Sequence, residues 1–171
     1  KRLIGTLCPN FPYRLIIMSL PSSSASNLNS NTLTQYQAFS VLVVDDEIGM
    51  QAILKKALGK YFGKVSSAGS VEEAEVLRCN EHFDLIVLDI NLPGRSGIEW
   101  EEVFNDADKR ADVIFMTGYA DLEMTISALK LGASDFILKP FNLEQMIKAV
   151  LRCMDKRLDQ RMQYALKRDV S

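Results

Sequence analysis

The stretch VLVVDD (residues 41–46) places four apolar residues, three of them valine, directly before two adjacent aspartates. Branched apolar residues favour extended backbone, and an unbroken apolar run is typical of a strand that is buried on both faces. Asp45 and Asp46 carry like charges at the point where this strand ends, and such charges repel unless a cation offsets them. The stretch therefore predicts a buried parallel strand with a cation at its carboxyl end.

The rest of the chain alternates between strand and helix signals. Apolar runs predict strands, and apolar periodicity or capping residues such as Ser70 predict helices between them. The predicted strands are 41–44, 64–68, 85–89, 113–117 and 136–139, and the predicted helices are 48–62, 71–80, 98–105, 121–131 and one that begins after Asn142. Strands that alternate with helices imply an α/β fold with a doubly wound parallel sheet.

Polar residues stand at the carboxyl ends of four predicted strands. They are Asp45 and Asp46 after the first strand, Asp89 in the third, Thr117 in the fourth and Lys139 in the fifth. In an open parallel sheet these ends meet at one edge, where ligands bind. The candidate ligands are all oxygen, which favours Mg²⁺, and no histidine or cysteine fits a zinc pattern.

This set of side chains suits phosphoryl transfer. A carboxylate can attack a phosphoryl group, and the transfer depends mainly on positioning and charge neutralisation, which Mg²⁺ and a lysine supply. Each residue also has a structural interpretation: the aspartate pair could cap a helix, and Lys139 could be a solvated charge. The convergence of all five at strand ends favours a site that carries an aspartyl phosphate.

Four motifs in this region resemble the receiver domain of two-component response regulators. They are VLVVDDE (41–47), LIVLDINLPGRSGIE (85–99), VIFMTGYAD (113–121) and GASDFILKPF (132–141). Within the family, residues 117–141 look most like receivers of nitrogen-regulation-type transcriptional activators. The resemblance implies a flavodoxin-like (βα)5 fold with strand order 2-1-3-4-5.

The resemblance also implies a role for each residue of the carboxyl edge. Asp89 would be the phosphoacceptor, and Asp45, Asp46, Asp89 and the backbone carbonyl of Asn91 would hold Mg²⁺. Lys139 would pair with the phosphoryl oxygens, and the bond from Lys139 to Pro140 would be cis.

The resemblance also implies how phosphorylation would switch the protein. Thr117 and the aromatic Phe136 would be the switch residues, and they would repack the face made by the fourth helix, the fifth strand and the fifth helix. The partner would be a sensor histidine kinase or a phosphotransfer protein, and the output would be control of transcription. No enzymatic activity is expected beyond self-catalysed phosphoryl acceptance and loss.

Two other classes of function compete with this interpretation. A pseudo-receiver would keep the fold as an interaction module without accepting phosphate, although such proteins usually lack one of the site residues. An aspartate-nucleophile phosphatase of the haloacid-dehalogenase type would need a second aspartate two positions after Asp89 as its general acid. That position is Asn91, which argues against it.

The domain boundaries follow from composition. We expect a disordered leader at 1–38, because its Ser- and Asn-rich part has little to bury, a receiver domain at 39–154 and a helical extension at 155–171. The extended C-terminal helix has an apolar stripe with basic flanks at Lys148, Arg152, Lys156, Arg157 and Arg161; the stripe comprises Leu143, Ile147, Val150, Met154, Leu158, Met162 and Ala165. This helix is either amphipathic with a solvated basic face, or a dimerising or connecting helix.

Charge and composition limit the classes of partner and the cellular location that we expect. The net charge of −2 does not favour binding to nucleic acid or to anionic membranes. The apolar runs are too short for a membrane helix, which needs about 20 residues, and the N-terminal region lacks a clean signal-peptide pattern. Three cysteines without metal spacing predict reduced thiols, so we expect a cytoplasmic protein. We also expect a homodimer that forms through the C-terminal helix and the face made by the fourth helix, the fifth strand and the fifth helix.

Overall fold

The computed structural model describes residues 34–94, 96–100, 111–118 and 132–168, and within these a five-stranded parallel sheet. The strands are β1 (Ser40–Val44), β2 (Lys64–Ala68), β3 (Leu85–Asp89), β4 (Asp112–Thr117) and β5 (Asp135–Leu138). The helices are α1 (Ile48–Leu58), α2 (Val71–Asn80) and the C-terminal helix α3 (Leu143–Arg168), and a further helix begins at Gly97.

The strand order β2-β1-β3-β4-β5 confirms the predicted flavodoxin-like fold. Neighbouring strands pair in register, so that Val44 lies opposite Leu88 and Asp89 lies opposite Met116. β1 and β3 are central and buried along almost their whole length, which explains their unbroken apolar sequences. This register brings the ends of β1, β3 and β4 together at the carboxyl edge of the sheet.

The helix boundaries follow the capping residues in most cases. The Ser70 hydroxyl accepts a hydrogen bond from the Glu73 amide, as predicted, and Asn142 and Gln145 cap each other reciprocally at the start of α3. The prediction that the first helix continues to Phe62 is wrong, because α1 ends at Leu58. The chain there turns so that Phe62 is buried in the core.

The core consists of two clusters, one on each face of the sheet. On one face, α1 and α3 pack against β1, β3 and β4 through Leu54, Leu58, Val150 and Met154, among others. On the other face, α2 and the helix that begins at Gly97 pack against the sheet, and Trp100 is fully buried there. The two faces together fix the strand ends that carry the polar residues.

The packed core includes a residue upstream of Phe39. Thr34 to Tyr36 form a helical turn, and the Tyr36 ring is buried against Phe62 at 6.0 Å between centroids. The rest of the predicted leader, residues 1–33, lies outside the described residues. So do the predicted helix at 121–131 and the end of the one at 98–105, which leaves the fourth helix of the predicted switch face undescribed.

Among the residues that the structure describes, no helix combines the length and the apolar character needed to span a membrane.

Candidate phosphoacceptor and metal site

Lys139 joins two aspartates at the carboxyl edge of the sheet. Its ammonium nitrogen lies 2.8 Å from Oδ2 of Asp45 and 2.7 Å from Oδ2 of Asp89. Asp45 directly follows β1, Asp89 ends β3 and Lys139 directly follows β5, so three strands supply the cluster. Both aspartates are buried and Lys139 is mostly buried. The structure therefore brings together three residues that the sequence predicted to converge.

The Asp45 side chain is oriented by its own loop. Its Oδ1 accepts a hydrogen bond from the Glu47 amide at 2.9 Å, and its backbone carbonyl accepts one from the Gln51 side chain at 2.7 Å. These contacts connect the end of β1 to the first turns of α1. The sequence analysis did not identify Gln51, because only the folded helix shows which of its polar residues faces back to the strand end.

Asp89 is held in a similar way. Its Oδ1 accepts a hydrogen bond from the Asn91 amide at 3.0 Å, which leaves lone pairs on both carboxylate oxygens. Gly97 packs directly against the backbone carbonyl of Asp89, and a Cβ at this position would overlap that oxygen. The sequence analysis did not single out Gly97, because its contact with the site depends on the path of the loop, which the sequence pattern does not give.

The electrostatic balance at Lys139 favours its charged form. Burial lowers the pKa of the ammonium group, but hydrogen bonds and Coulombic attraction from Asp45 and Asp89 outweigh burial and raise the pKa above its ordinary value. Lys139 is therefore a permanent cation at neutral pH. It offsets part of the negative charge of the aspartates and stays available to pair with a further anion.

Three carboxylates at this edge fit a divalent cation. Asp45, Asp46 and Asp89 each place one oxygen within 4.8 Å of the others, and Asp46 is exposed to solvent while the other two are buried. Hard oxygen donors in this number are what Mg²⁺ prefers, and the exposed carboxylate leaves room for the waters that this ion retains. The described residues thus fit Mg²⁺, and the role of the Asn91 carbonyl stays a prediction.

Thr117 and Phe136, the two predicted switch residues, lie on the neighbouring strands β4 and β5. Thr117 is fully buried at the end of β4, and its hydroxyl is 3.4 Å from the side-chain nitrogen of Asn91. Phe136 is half-buried and packs against the core cluster that contains Trp100. It lies opposite Phe115 of β4. The cis bond between Lys139 and Pro140 is confirmed. The switch roles of Thr117 and Phe136 remain predictions.

Comparison with known proteins supports this assignment of the fold. The chain is 36% identical over 109 residues to the response regulator protein PilR of Pseudomonas aeruginosa, a match that spans 64% of this chain and 24% of PilR. A CheY-like response regulator receiver domain protein from Methanospirillum hungatei JF-1 superimposes with a TM-score of 0.67 at 28% identity, covering 71% of this chain and 98% of that one.

A third similar protein was solved in complex with Mg(2+)-BeF. The response regulator protein TrrA from Thermotoga maritima, in complex with Mg(2+)-BeF, superimposes with a TM-score of 0.60 at 29% identity, over 67% of this chain and 98% of that one.

The matched region is a part of longer relatives. This chain spans between about a quarter and about half the length of the curated relatives that it matches. The family model for the response regulator receiver domain matches residues 41–151, which include every residue of the candidate site. The chain belongs to the response regulator receiver domain family.

Proposed function

We propose that this chain accepts a phosphoryl group on Asp89 from a sensor histidine kinase or a phosphotransfer protein. The observation that carries the proposal is the Lys139 ammonium, which lies within 3 Å of both the nucleophile Asp89 and the metal-ligand candidate Asp45. A cation in this position can neutralise phosphoryl oxygens without moving far. We expect no activity on outside substrates beyond phosphoryl acceptance and autodephosphorylation.

Asp45, Asp46 and Asp89 would hold Mg²⁺, together with the Asn91 carbonyl. When bound, Mg²⁺ would neutralise negative charge on the phosphoryl oxygens. The proposal is supported by the spacing of the three carboxylates and by the Mg(2+)-BeF complex of TrrA.

The chemical step at Asp89 is a displacement at phosphorus. A carboxylate oxygen of Asp89 forms a bond to phosphorus, the phosphorus–nitrogen bond of the donor phosphohistidine breaks, and the imidazole leaves with the electron pair. The Asn91 amide and Lys139 orient the carboxylate for this attack. Attack of water on the same phosphorus later restores Asp89 and releases phosphate.

The added charge would act on the switch residues. Thr117 and Lys139 would be drawn toward the phosphoryl oxygens, and Phe136 would turn into the space that Thr117 leaves, which repacks the face made by β5, α3 and the fourth helix. We propose that this face, with the extended α3, forms a homodimer and controls transcription through an output domain. We expect a cytoplasmic protein that does not itself contact nucleic acid.

One observation favours a second candidate, a pseudo-receiver that never accepts phosphate. The Lys139 ammonium already has two carboxylate partners, so the same cluster could serve only to hold three strand ends together. The two candidates differ in whether Asp89 reacts.

The test is phosphate-affinity gel mobility after incubation with acetyl phosphate and Mg²⁺. We expect a retarded band for the wild type, no such band for Asp89→Asn, and loss of the band when EDTA is added. Asp159→Asn is the matched control, because it removes an exposed aspartate of α3 that is outside the site. It should shift as the wild type does.

A folded wild type that shows no band with acetyl phosphate is then incubated with a phosphorylated histidine kinase. Failure with both donors would refute the phosphoacceptor function and favour the pseudo-receiver. A band that persists in Asp89→Asn would place the phosphorylation on another residue.

A further inference from the structure

A second row of charges lies at the opposite, amino edge of the sheet. Three neighbouring strands begin at or just after an aspartate, and three arginines of α3 pair with these aspartates in order. The pairs are Arg152 with Asp135 at β5 (2.6 Å), Arg157 with Asp112 at β4 (2.8 Å) and Arg161 with Asp84 at β3 (2.9 Å). We call these six residues the amino-edge ladder.

The order of the pairs follows from helix and sheet geometry. A helix rises about 1.5 Å per residue, and neighbouring strands lie about 4.8 Å apart. A step of four or five residues along α3 therefore advances roughly one strand along the edge, given that the helix crosses it obliquely. The arginines that flank the apolar stripe thus face the sheet, and their charges are paired within the chain.

The aspartates are fixed to the strands that carry them. The Asp84 amide donates to the Ser40 carbonyl, and the Asp112 amide donates to the Asp84 carbonyl, both at 2.9 Å. The Asp84 carboxylate also accepts from the amide and the hydroxyl of Ser40, and Asp112 accepts from the Ser134 hydroxyl at 2.8 Å. A strand that moves must therefore carry its aspartate with it.

All three of these strands reach the phosphoacceptor site at their other ends, since β3 begins directly after Asp84 and ends at Asp89 itself. β4 runs from Asp112 in the ladder to Thr117 at the site, and β5 runs from Asp135 to the residue before Lys139. Phe136 follows Asp135 directly, and its amide donates to the Asp135 carboxylate. Each strand thus connects a ladder aspartate to a residue that would respond to phosphorylation.

The distal half of α3 (residues 157–168) has little apolar contact to hold it in place. Leu158 and Met162 are only partly buried, while Tyr164 and Leu166 are 72% and 63% exposed. Segments with few buried apolar contacts open at low free energy. Besides Leu158, which packs against the core, Arg157 and Arg161 tie this segment to the sheet through their ion pairs.

We propose that the amino-edge ladder couples phosphorylation of Asp89 to the distal half of α3. A displacement of β4 or β5 at the site moves Asp112 or Asp135, and the paired arginines move the distal half with them. The inference rests on the proposed phosphorylation of Asp89 and adds the route by which the change reaches the helix.

Amide hydrogen exchange of the full chain tests this coupling, with and without acetyl phosphate and Mg²⁺. The same samples are run on the phosphate-affinity gel, so that the extent of phosphorylation is known. In the wild type we expect phosphorylation to change exchange in residues 157–168 by about threefold or more. In Arg157→Gln and in Arg152→Gln the change should fall to less than half of that value.

Lys148→Gln is the matched control. Lys148 is an exposed cation about one turn before Arg152 of the amino-edge ladder, and it pairs with Glu144 of the same helix at 2.6 Å instead of with the sheet. This variant should keep the wild-type change. The charge-swapped pair Arg152→Asp with Asp135→Arg should recover the change that Arg152→Gln loses.

The outcomes separate the coupling from the function on which it rests. A phosphorylated wild type without altered exchange in residues 157–168 would overturn the coupling and leave the phosphoacceptor function intact. If phosphorylation changed amide exchange in both arginine variants as much as in the wild type, the coupling would also be overturned. A wild type with no retarded band would refute the phosphoacceptor function itself, and the coupling would fall with it.

Discussion

The two edges of the sheet carry similar residues in different proportions. At the carboxyl edge, the described side chains set three aspartates against one lysine, whereas the amino-edge ladder sets three aspartates against three arginines. The first cluster keeps an excess of negative charge, and the second is neutral. Charge balance thus separates a cluster that holds the fold together from one that is suited to take up a cation.

The comparison teaches how to interpret a cluster of aspartates. An unbalanced cluster persists in a folded protein when something outside the chain supplies the missing charge, because like charges that are buried together raise the energy of the folded state. A balanced cluster needs nothing further. Three predictions test this difference, and a fourth, at Tyr36, supplies a hydrogen bond outside both edges for comparison; they are ordered from the largest expected effect to the smallest.

Lys139→Gln should have the largest effect on stability. It leaves buried Asp45 and Asp89 facing each other without their shared cation, and loss of one partner from a buried ion pair costs about 3 kcal/mol. The free energy of unfolding in urea should fall by this amount, and added Mg²⁺ should restore part of it, because a ligand of the folded state stabilises that state. Lys148→Gln should change it by less than about 0.5 kcal/mol.

Asp84→Asn should have the second-largest effect on stability, and this effect should depend on pH. Burial raises the pKa of Asp84, but hydrogen bonds from His82 and the Ser40 amide and the charges of His82 and Arg157 outweigh burial and bring the pKa from 3.8 to about 2. Because the folded-state pKa is depressed, the stabilisation is present above pH 3.8 and is lost as the pH falls toward 2.

The lowered pKa of Asp84 corresponds to roughly 2 kcal/mol of folding stability at pH 7. Urea denaturation across this pH range should show the wild type and Asp84→Asn converging at low pH. A constant difference down to pH 2 would contradict the assigned charge interaction.

Tyr36→Phe should have a smaller effect on stability, because it removes a hydrogen bond and not an ion pair. The Tyr36 hydroxyl donates to Oδ1 of Asp155 at 2.6 Å, and loss of such a hydrogen bond costs about 1 kcal/mol. Burial, together with this hydrogen bond and the charge of Asp155, raises the pKa of Tyr36 to about 12. The stabilisation should therefore be complete below pH 10 and be lost as the pH rises toward 12.

A double-mutant cycle with Asp155→Asn measures the pair directly. The coupling energy should change little on addition of NaCl, whereas that of the exposed Arg152–Asp135 pair should fall, because salt screens exposed charges. Equal salt dependence of the two cycles would contradict this assignment.

Asp89→Asn should have the smallest effect on stability. It removes one of three negative charges, and the asparagine oxygen can still accept one of the two hydrogen bonds that Asp89 receives on separate oxygens, either from Lys139 or from the Asn91 amide. We expect the free energy of unfolding to stay within about 0.5 kcal/mol of the wild-type value, since lost attraction to Lys139 and relieved repulsion oppose each other. A loss as large as that of Asp84→Asn would show that the two edges do not differ as proposed.

The sequence predicted the fold and the carboxyl edge because both depend on local signals. Apolar runs mark the strands, caps such as Ser70 mark the helix starts, and residues that directly follow a strand must lie at its end. Asp45, Asp89 and Lys139 could therefore be placed together before any coordinates were known. The end of α1 was predicted less well, since Phe62 continues the helical period but packs into the core after a turn.

The amino-edge ladder could not be predicted in this way. Asp84, Asp112 and Asp135 are single charges at strand starts, where polar residues are common, and the arginines of α3 fit a solvated helix face equally well. Their pairing depends on the path of a helix across three strands, which is a tertiary property. Gln51 and Gly97 were missed for the same reason, because their roles arise from contacts made after folding.

The hydrogen bond between Tyr36 and Asp155 has a consequence for synthesis on the ribosome. The two residues are 119 positions apart, so the first described segment of the chain cannot complete its packing until one of the last segments has been synthesised. At about 5–20 residues per second, translation of the intervening chain takes roughly 6–24 seconds. During this interval the apolar run of β1 has no complete core to enter, and it is a candidate for chaperone binding on the nascent chain.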